Sequence, residues 1–229
     1  MTNLAIIPAR GGSKRIPRKN IKDFFGKPVI AYPIRAALDS GLFEEVMVST
    51  DDPEIAEVSK SFGAIVPVLR SSQNADDHAG LADVVKEVLD FYQKTNRLFE
   101  RFCCILPATP FVLPEQFKKS LNFLISGKYA SVFPAIRFSH PIQRAFKIEN
   151  GNALMLRPET MQSRTQDLQN TYFDSGQFYW MKVSSFYKEN RFFTQNTGAI
   201  EFPEADFVDI DNETDWWKAE QIFRIKNQI

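Results

Sequence analysis

The sequence predicts an α/β fold of three layers, in which a mostly parallel, Rossmann-like sheet carries helices on both faces. Short runs rich in β-branched and aromatic residues alternate with amphipathic stretches of helical length through residues 1–137. This alternation is typical of parallel strands joined by helical crossovers. The composition agrees, since 44% apolar residues in a chain of 229 are enough for one well-packed core.

Helix start and stop signals divide the alternation into elements. Asp52 and Pro53 form an N-cap and first-turn proline, and Pro114 opens another helix. Pro33 lies within the predicted helix before them, where a proline kinks the helix or delays its start. In chain order we predict strand 3–9, helix 27–40, strand 45–50, a helix from Pro53 to near Gly63, strand 64–69, helix 81–92, strand 102–108, helix 114–127 and strand 130–136.

The alternation breaks at about residue 138. Asn150-Gly151 is a hairpin signal between two short strands, and a polar stretch and a strand over 176–182 follow. Segment 138–180 has too few apolar residues to fold alone, so we expect a small β-rich insert that packs on another surface, such as a second subunit. The rest forms the α/β domain, which spans 1–137 and 181–229 and ends with strand 206–211 and helix 213–226.

Charge and composition exclude several classes of protein. The 28 Lys and Arg residues balance 28 Asp and Glu residues, so no global basic field for nucleic acid exists. No apolar run approaches the ~20 residues that span a bilayer, and the first apolar stretch is too short for a signal peptide. Cys103 and Cys104 are the only cysteines, and they lie in a predicted buried strand. We expect a cytoplasmic protein with neither nucleic acid nor membrane as a partner.

The segment PARGGSKRIPRKN, residues 8–20, follows the first predicted strand, where ligands bind in such folds. Its paired glycines let backbone N–H groups approach an anion, and lysine and arginine side chains neutralise phosphates. Neither the P-loop nor the dinucleotide glycine pattern matches. The turn therefore predicts a polyphosphate site of another kind, and the alternative is a solvated basic turn. Its five cations are Arg10, Lys14, Arg15, Arg18 and Lys19.

An acidic doublet, Asp209 and Asp211, lies in the predicted strand 206–211. Side chains at i and i+2 of a strand share one face, about 6.6 Å apart along the axis. Two such carboxylates can bracket a Mg²⁺ ion that also binds a substrate phosphate. The alternative is that Asp211 caps the last helix and Asp209 is solvated.

The segment IPARGGSKRIPRKN resembles the signature of the acylneuraminate cytidylyltransferases, which join CTP to a nine-carbon acidic sugar and release pyrophosphate. The resemblance continues at 48–70, less closely at LPATPF (106–111), and at DIDNETDW (209–216). FPAIRFSHPIQRAFKI and DSGQFYWM look most like the pseudaminic acid branch. The resemblance implies a nucleotide-diphospho-sugar transferase fold, a nucleotide-binding α/β domain, and a homodimer in which the 138–180 insert completes the partner's sugar pocket.

By this resemblance, Lys19, Asp209 and Asp211 would be catalytic, and the two aspartates would hold Mg²⁺. Relatives often carry glutamine where this chain has Leu106, so cytosine recognition is expected to rely on backbone groups. The residues expected to bind CTP are Arg10, Gly11, Gly12, Ser13, Lys14, Asn20, Arg70 and Ala108.

The acidic sugar should meet a cation, and the resemblance assigns that role to Arg164. Gln143 stands where sialic acid enzymes have a lysine, which favours another nine-carbon acid. The alternative for the Phe192–Phe193 pair is core packing. The residues expected to bind the sugar are Gln143, Arg164, Gln177, Tyr179, Phe192 and Phe193.

Other functions stay open at this stage. The sugar could be sialic or legionaminic acid, whereas ketodeoxyoctonic acid fits the Gly11–Lys14 loop less well. A metal-dependent glycosyltransferase has an Asp-x-Asp motif like that of Asp209 and Asp211, and a non-catalytic nucleotide-binding regulator is a third alternative. His78 and His140, the only histidines, are expected to be structural rather than catalytic.

Overall fold

A computed structural model of the chain describes residues 2–74 and 80–229. Its main sheet has seven strands, six of them in the order β11-β6-β10-β5-β1-β4, and β9 pairs with the end of β6. The strands of this sheet are β1 (Asn3–Pro8), β4 (Glu45–Ser49), β5 (Arg101–Ile105), β6 (Ser131–Arg137), β9 (Tyr172–Asp174), β10 (Phe178–Lys182) and β11 (Thr197–Glu201). The remaining strands are the short pair β2 (Asp23–Phe24) and β3 (Lys27–Pro28) and the hairpin β7 (Phe146–Glu149) and β8 (Asn152–Met155).

Most strands of the main sheet run in one direction. β1 pairs in parallel with both β4 and β5, and β11 pairs in parallel with β6. β10 is antiparallel to its neighbours β5 and β6, and β9 is antiparallel to β6. The prediction of a mostly parallel sheet is confirmed, and the carboxyl ends of β1, β4 and β5 meet at one edge.

Helices cover both faces of the sheet, as the three-layer prediction requires. Successive residues of a strand point to opposite faces, and along β1 Ala5 and Ile7 belong to one core cluster while Leu4 and Ile6 belong to another. Both neighbouring cysteines are buried and free, with Cys103 in the first cluster and Cys104 in the second. The helices are α1 (Ala31–Ser40), α2 (Pro53–Ser61), α3 (Leu81–Lys94), α4 (Pro114–Ser126), α5 (Val183–Glu189) and α6 (Glu213–Asn227).

A third core cluster joins segments that are far apart in sequence. Ile16 of the cationic turn and Ile210 of the acidic doublet are both buried in it, at 1% and 2% exposure. Phe24 lies at its centre and makes edge-to-face contacts with Trp216 and Tyr32. Burial of these apolar side chains holds the turn and the doublet next to each other.

Two predicted strands are absent from the structure. Within 64–69 only Ile65 pairs with β4, through an isolated bridge to Met47, and Pro67 two residues later has no N–H to continue a ladder. Residues 207–211 form no strand and join no sheet, although Phe207 has an extended backbone. The predicted helix over 27–40 begins only at Ala31, because Lys27 and Pro28 form β3. Pro33 then falls in the first turn of α1, where a missing N–H leaves no helical hydrogen bond unmade.

The 138–180 segment divides into two parts. β9 and β10 both belong to the main sheet, so residues 172–174 and 178–180 of the segment expected to form the insert are strands of that sheet. The predicted hairpin is present as β7 and β8, joined by Asn150 at φ 51° and Gly151 at φ 82°. In the two described ranges, no helix combines the length and the apolar character that a membrane crossing needs.

Candidate active site

The cationic turn leaves β1 at the edge where the carboxyl ends of the parallel strands meet. Asn20 closes the turn, since its buried side chain donates a 2.9 Å hydrogen bond to the Arg10 carbonyl. The Gly11 N–H donates to Asp51 Oδ1 at 3.0 Å. A Cβ at Gly11 would lie 2.7 Å from Asp52 Oδ2, whereas a Cβ at Gly12 would meet nothing within 4 Å. Gly11 is therefore required by close packing, and Gly12 leaves an open approach to the backbone.

The five cations of the turn do not share one role. The Arg18 guanidinium donates hydrogen bonds to the carboxylates of Asp52 and Glu54. The hydrogen bond that Arg18 donates to the Asp52 carboxylate raises the pKa of Arg18 above its usual value. Arg18, which was not among the residues expected to bind CTP, is thus paired with carboxylates at the amino end of α2.

A cavity of about 350 Å³ opens beside the turn. Its walls come from three strand ends: the turn after β1, Leu106 and Pro107 after β5, and Arg70, whose N–H donates to the carbonyl of Thr50 after β4 at 2.8 Å. Of the residues expected to bind CTP, those that line this cavity are Arg10, Ser13, Lys14, Asn20 and Arg70. This is the edge of the sheet at which the switch-point rule predicts a ligand.

Arg70 is held rigidly in the wall of this cavity. Its Nε donates to Ser49 Oγ at 3.1 Å. Desolvation lowers the pKa of Arg70, and the nearby Asp51 carboxylate partly offsets that effect. The following residue, Ser71, donates from its N–H and its hydroxyl to the Glu87 carboxylate at 2.8 and 2.9 Å.

A second cavity of about 110 Å³ adjoins the first. This cavity is lined by Ala108, Asp209 and Asp211. Two residues, Lys19 and Asp211, line both cavities. The cationic turn and the acidic doublet, 189 or more residues apart along the chain, therefore meet at one junction. The segment 207–211 reaches it because buried Ile210 points into the third core cluster, leaving the flanking aspartates outside.

Strong electrostatic coupling marks this junction. The Lys19 ammonium donates a 2.7 Å hydrogen bond to the Ile210 carbonyl, and Arg15 pairs with Asp211 at 2.9 Å. Desolvation lowers the pKa of Lys19, although the Asp211 and Asp209 carboxylates oppose it. Although part of the Asp209 side chain is exposed, loss of hydration raises the pKa of Asp209, and the Asp211 charge raises it further.

The doublet has the chemistry of a magnesium ligand set. Within the ranges that the structure describes, no cluster of three or more His, Cys, Asp or Glu side chains could hold a metal ion. Mg²⁺, however, is commonly bound by one or two carboxylates together with substrate phosphates, so two aspartates beside a phosphate-sized cavity fit it. Asp211 does not cap α6, because Asn212 does so through a 3.0 Å bond from Asp215 N–H.

Two residues expected to bind the sugar are buried near β10. Gln177 donates to the Asp206 carbonyl at 2.9 Å, and the Tyr179 hydroxyl donates to Asp174 Oδ2 at 2.6 Å. Burial raises the pKa of Tyr179, and the carboxylates of Asp174 and Asp209 add to the effect. Tyr179 therefore stays a neutral hydrogen-bond donor close to the acidic doublet.

The other residues expected to bind the sugar lie farther out. Gln143 is buried and donates to the Gln169 carbonyl at 2.8 Å, while Arg164 is exposed. Phe192 packs against Tyr179 at 5.0 Å between ring centroids, and half-exposed Phe193 packs on Phe133 at 4.8 Å. Neither cavity at the junction is lined by any of the six residues that we assigned to the sugar.

Of the two histidines, His140 lines neither cavity at the junction. His140 is exposed, with its Nδ1 3.2 Å from Ser139 Oγ, and His78 lies outside the described residues. The sequence analysis also missed contacts that the structure shows at the site. Asp51, Asp52 and Glu87 brace the loops around the first cavity; the only sequence signal for this was the acidic pair directly after a predicted strand.

The sheet and its helices have the fold of known nucleotidyltransferases. Two solved structures share this fold over nearly the whole chain. A CMP:2-keto-3-deoxy-manno-octonic acid synthetase complexed with CTP gives a TM-score of 0.73 at 18% identity, covering 99% of this chain and 100% of its own. The 4-diphosphocytidyl-2C-methyl-D-erythritol synthase of Anaerococcus prevotii gives a TM-score of 0.66 at 14% identity, with 97% and 98% coverage.

The chain belongs to the cytidylyltransferase family, whose sequence model matches residues 4–202. It is 38% identical to the pseudaminic acid cytidylyltransferase of Campylobacter jejuni, covering 100% of this chain and 99% of that protein. It is 31% identical to the CMP-N,N'-diacetyllegionaminic acid synthase of Legionella pneumophila, with 100% and 99% coverage. It is 34% identical to N-acylneuraminate cytidylyltransferase A of Danio rerio, covering 95% of this chain and 50% of that protein.

Proposed function

We propose that this enzyme transfers CMP from CTP to the anomeric hydroxyl of a nine-carbon acidic sugar and releases pyrophosphate. Pseudaminic acid is the sugar best supported, since the full-length Campylobacter relative named for it is 38% identical to this chain, whereas the full-length legionaminic acid relative is 31% identical. The observation that carries the proposal is the junction where the cationic turn and the acidic doublet meet, at Lys19 and Asp211.

The chemistry needs positioning and charge neutralisation rather than a covalent intermediate. The sugar oxygen forms a bond to the α-phosphorus, and the bond from that phosphorus to the bridging oxygen breaks. Pyrophosphate leaves with the electron pair, and the proton of the sugar hydroxyl passes to water. Arg10, Lys14 and Lys19 surround the space for the triphosphate. Fixed cations there stabilise the charge that develops on the leaving group.

We assign Mg²⁺ to Asp209 and Asp211. Their carboxylates are hard oxygen ligands at the junction of the two cavities. When bound, the ion neutralises charge on the α-phosphate and the leaving group. Arg15, which pairs with Asp211 in the structure, is then available to the triphosphate.

We further propose a cytoplasmic homodimer in which the insert completes the sugar pocket of the partner. In the hairpin, Phe146 lies opposite Met155 and Ile148 opposite Ala153, so one face is apolar, with Phe146 and Ile148 exposed at 54% and 71%. A lone two-stranded hairpin is barely stable in water, and a second copy would cover this face. The cytoplasm is the proposed location because buried Cys103 and Cys104 carry free thiols.

A pyrophosphate-release assay tests the function. Purified enzyme is given CTP, UTP or ATP with pseudaminic, legionaminic or sialic acid, with and without Mg²⁺. We expect release that requires CTP, Mg²⁺ and a free sugar acid, and that is fastest with pseudaminic acid. Activity that requires a nucleotide-sugar donor would instead identify a glycosyltransferase. CTP binding without turnover across the sugar panel would identify a non-catalytic binder.

A further inference from the structure

Two neighbouring aspartates after β4 hold both ends of the cationic turn, although neither lines the two cavities. Asp51 accepts the hydrogen bond from Gly11 N–H at the start of the turn. Asp52 accepts the hydrogen bond from the Arg18 guanidinium near its end. The turn is thereby fastened to the amino end of α2.

Asp52 is itself held in place. Its Oδ1 accepts from the N–H groups of Glu54 and Ile55 at 2.9 and 3.1 Å, so it is the N-cap of α2. Its side chain is 17% exposed. Gly11 packs directly against this carboxylate, leaving no space for a Cβ. A capping carboxylate that is fixed from α2 gives the turn a rigid support.

The contact fixes the backbone of the turn as well as a charge. Arg18 has φ 54° and ψ 30°, the left-handed conformation that is unfavourable for residues other than glycine. Its bond to Asp52, which is 17% exposed, holds it there, whereas the bond to Glu54, which is 68% exposed, adds little. Directly after it, Lys19 and Asn20 begin a short 3₁₀ turn and line the first cavity. The placement of Lys19 therefore depends on the conformation of Arg18.

We propose that Asp52 and Arg18 are positioning residues that form the phosphate-binding shape of the turn before a nucleotide arrives. Preformed donors bind charge without paying for reorganisation. The inference rests on the proposed function in one respect, namely that the ligand of the turn is a nucleoside triphosphate.

A direct phosphate contact by Arg18 makes the opposite prediction. In that case Asp52 competes with the nucleotide for Arg18, and neutralising Asp52 tightens CTP binding. If Asp52 and Arg18 position the turn, neutralising Asp52 weakens CTP binding. The sign of the change in affinity therefore separates the two roles.

The experiment is calorimetric titration of the full-length protein with CTP and, separately, with cytidine. Asp52→Asn and Arg18→Ala should each raise the dissociation constant for CTP about tenfold, as expected for one charge-assisted hydrogen bond, while cytidine binding stays unchanged. Glu54→Gln is the matched control. It removes the same charge from the second, 68% exposed partner of Arg18 and should leave CTP affinity within about twofold.

Three results would overturn the proposal. The first is unchanged or tighter CTP binding by Asp52→Asn, and the second is an equal loss of CTP affinity in Asp52→Asn and Glu54→Gln. The third is a double variant of Asp52→Asn and Arg18→Ala whose loss of CTP affinity equals the sum of the two single losses. A coupled pair should lose no further affinity once one partner has been removed. Asparagine can still cap α2, and thermal unfolding checks that the fold survives. If Asp52→Asn does not fold, Asp52→Ser carries the test, because serine also caps a helix and removes the same charge. Wild-type protein that fails to bind CTP would contradict the proposed function instead.

Discussion

The charged side chains at the junction are paired with one another in ways that a substrate can replace. Arg15 and Asp211 form an ion pair although their side chains are 68% and 41% exposed. Such exposed pairs contribute about 0–1 kcal/mol to the free energy of unfolding. Replacing Arg15 by a metal ion as the partner of Asp211, or replacing Asp211 by a phosphate as the partner of Arg15, would therefore cost little stability. Lys19 is more constrained, because its ammonium is bonded to the Ile210 carbonyl and is partly desolvated.

Neutralising Asp211 should abolish most catalysis without unfolding the protein. We expect Asp211→Asn to lower turnover roughly 10²–10³-fold, the usual loss for one oriented charge at a reacting centre. The assay is steady-state pyrophosphate release, with the melting temperature as the check on folding. Glu213→Gln removes a nearby carboxylate that pairs with Lys22 outside both cavities, and it should keep wild-type turnover. Wild-type rates in Asp211→Asn would remove this residue from the mechanism.

At the scale of elements, α3 contributes Leu81 and Val84 to the wall of the first cavity and supports a further part of that wall through Glu87. The Glu87 carboxylate accepts from Ser71 N–H, Ser71 Oγ and Asn74 Nδ2. These bonds fix the segment that carries Arg70 and Asn74, both of which line the cavity. Desolvation works to raise the pKa of Glu87, but the bonds from Asn74 and Ser71 outweigh it, and the pKa is lowered from 4.5.

The lowered pKa predicts how stability depends on pH. Between that pKa and 4.5 the unfolded state binds more protons than the folded state, so stability rises with pH across this window. We expect Glu87→Gln to lower the free energy of unfolding by about 1–2 kcal/mol at pH 7. The difference in free energy of unfolding between the wild type and Glu87→Gln should be fully present above pH 4.5. It should disappear as the pH falls through the lowered pKa of Glu87. Urea unfolding from pH 3 to 7 measures it, and a difference that persists at the acid end would contradict this origin.

At the scale of the whole molecule, the residues that we assign to CTP and those that we assign to the sugar lie apart. The CTP side converges on two adjoining cavities, whereas exposed Arg164 lies on the segment beyond the hairpin and lines neither of them. A homodimer would account for both this separation and the apolar hairpin face.

If a second copy covers that face, charge on it should separate the subunits. Ile148→Asp should shift the protein from dimer to monomer in sedimentation velocity and reduce sugar turnover, and wild-type specific activity should fall on dilution below the dimer dissociation constant. Ile225→Asp on α6, where Ile225 is 78% exposed, is the control and should leave the dimer intact. Full specific activity in a demonstrated monomer would exclude a shared sugar pocket.

Arg164 should act on the sugar and not on the nucleotide. We expect Arg164→Ala to weaken binding of the sugar acid about tenfold, as for loss of one charge-assisted contact to a carboxylate, with CTP affinity unchanged. Calorimetric titration with each ligand measures the two constants. A loss confined to CTP would show that its ligand has been assigned wrongly.

The sequence by itself determined the fold class, the family and the order of most elements. Alternating apolar runs predicted the parallel sheet, Asp52-Pro53 predicted the start of α2, and Asn150-Gly151 predicted the hairpin, because each of these signals is local. The cationic turn was also recognised from local sequence, since paired glycines and cations after a buried strand have few structural uses.

Only the tertiary structure decided which of those charges meet. Strand patterns over 64–69 and 206–211 suggested sheet strands, but pairing depends on a neighbouring backbone that no local pattern specifies; Ile65 found one partner and residues 207–211 found none. Arg18 and Lys19 are adjacent cations of one turn, yet Arg18 pairs with α2 while Lys19 faces the doublet. Their separation arises because burial of Ile16 and Ile210 in one apolar cluster brings together segments nearly two hundred residues apart.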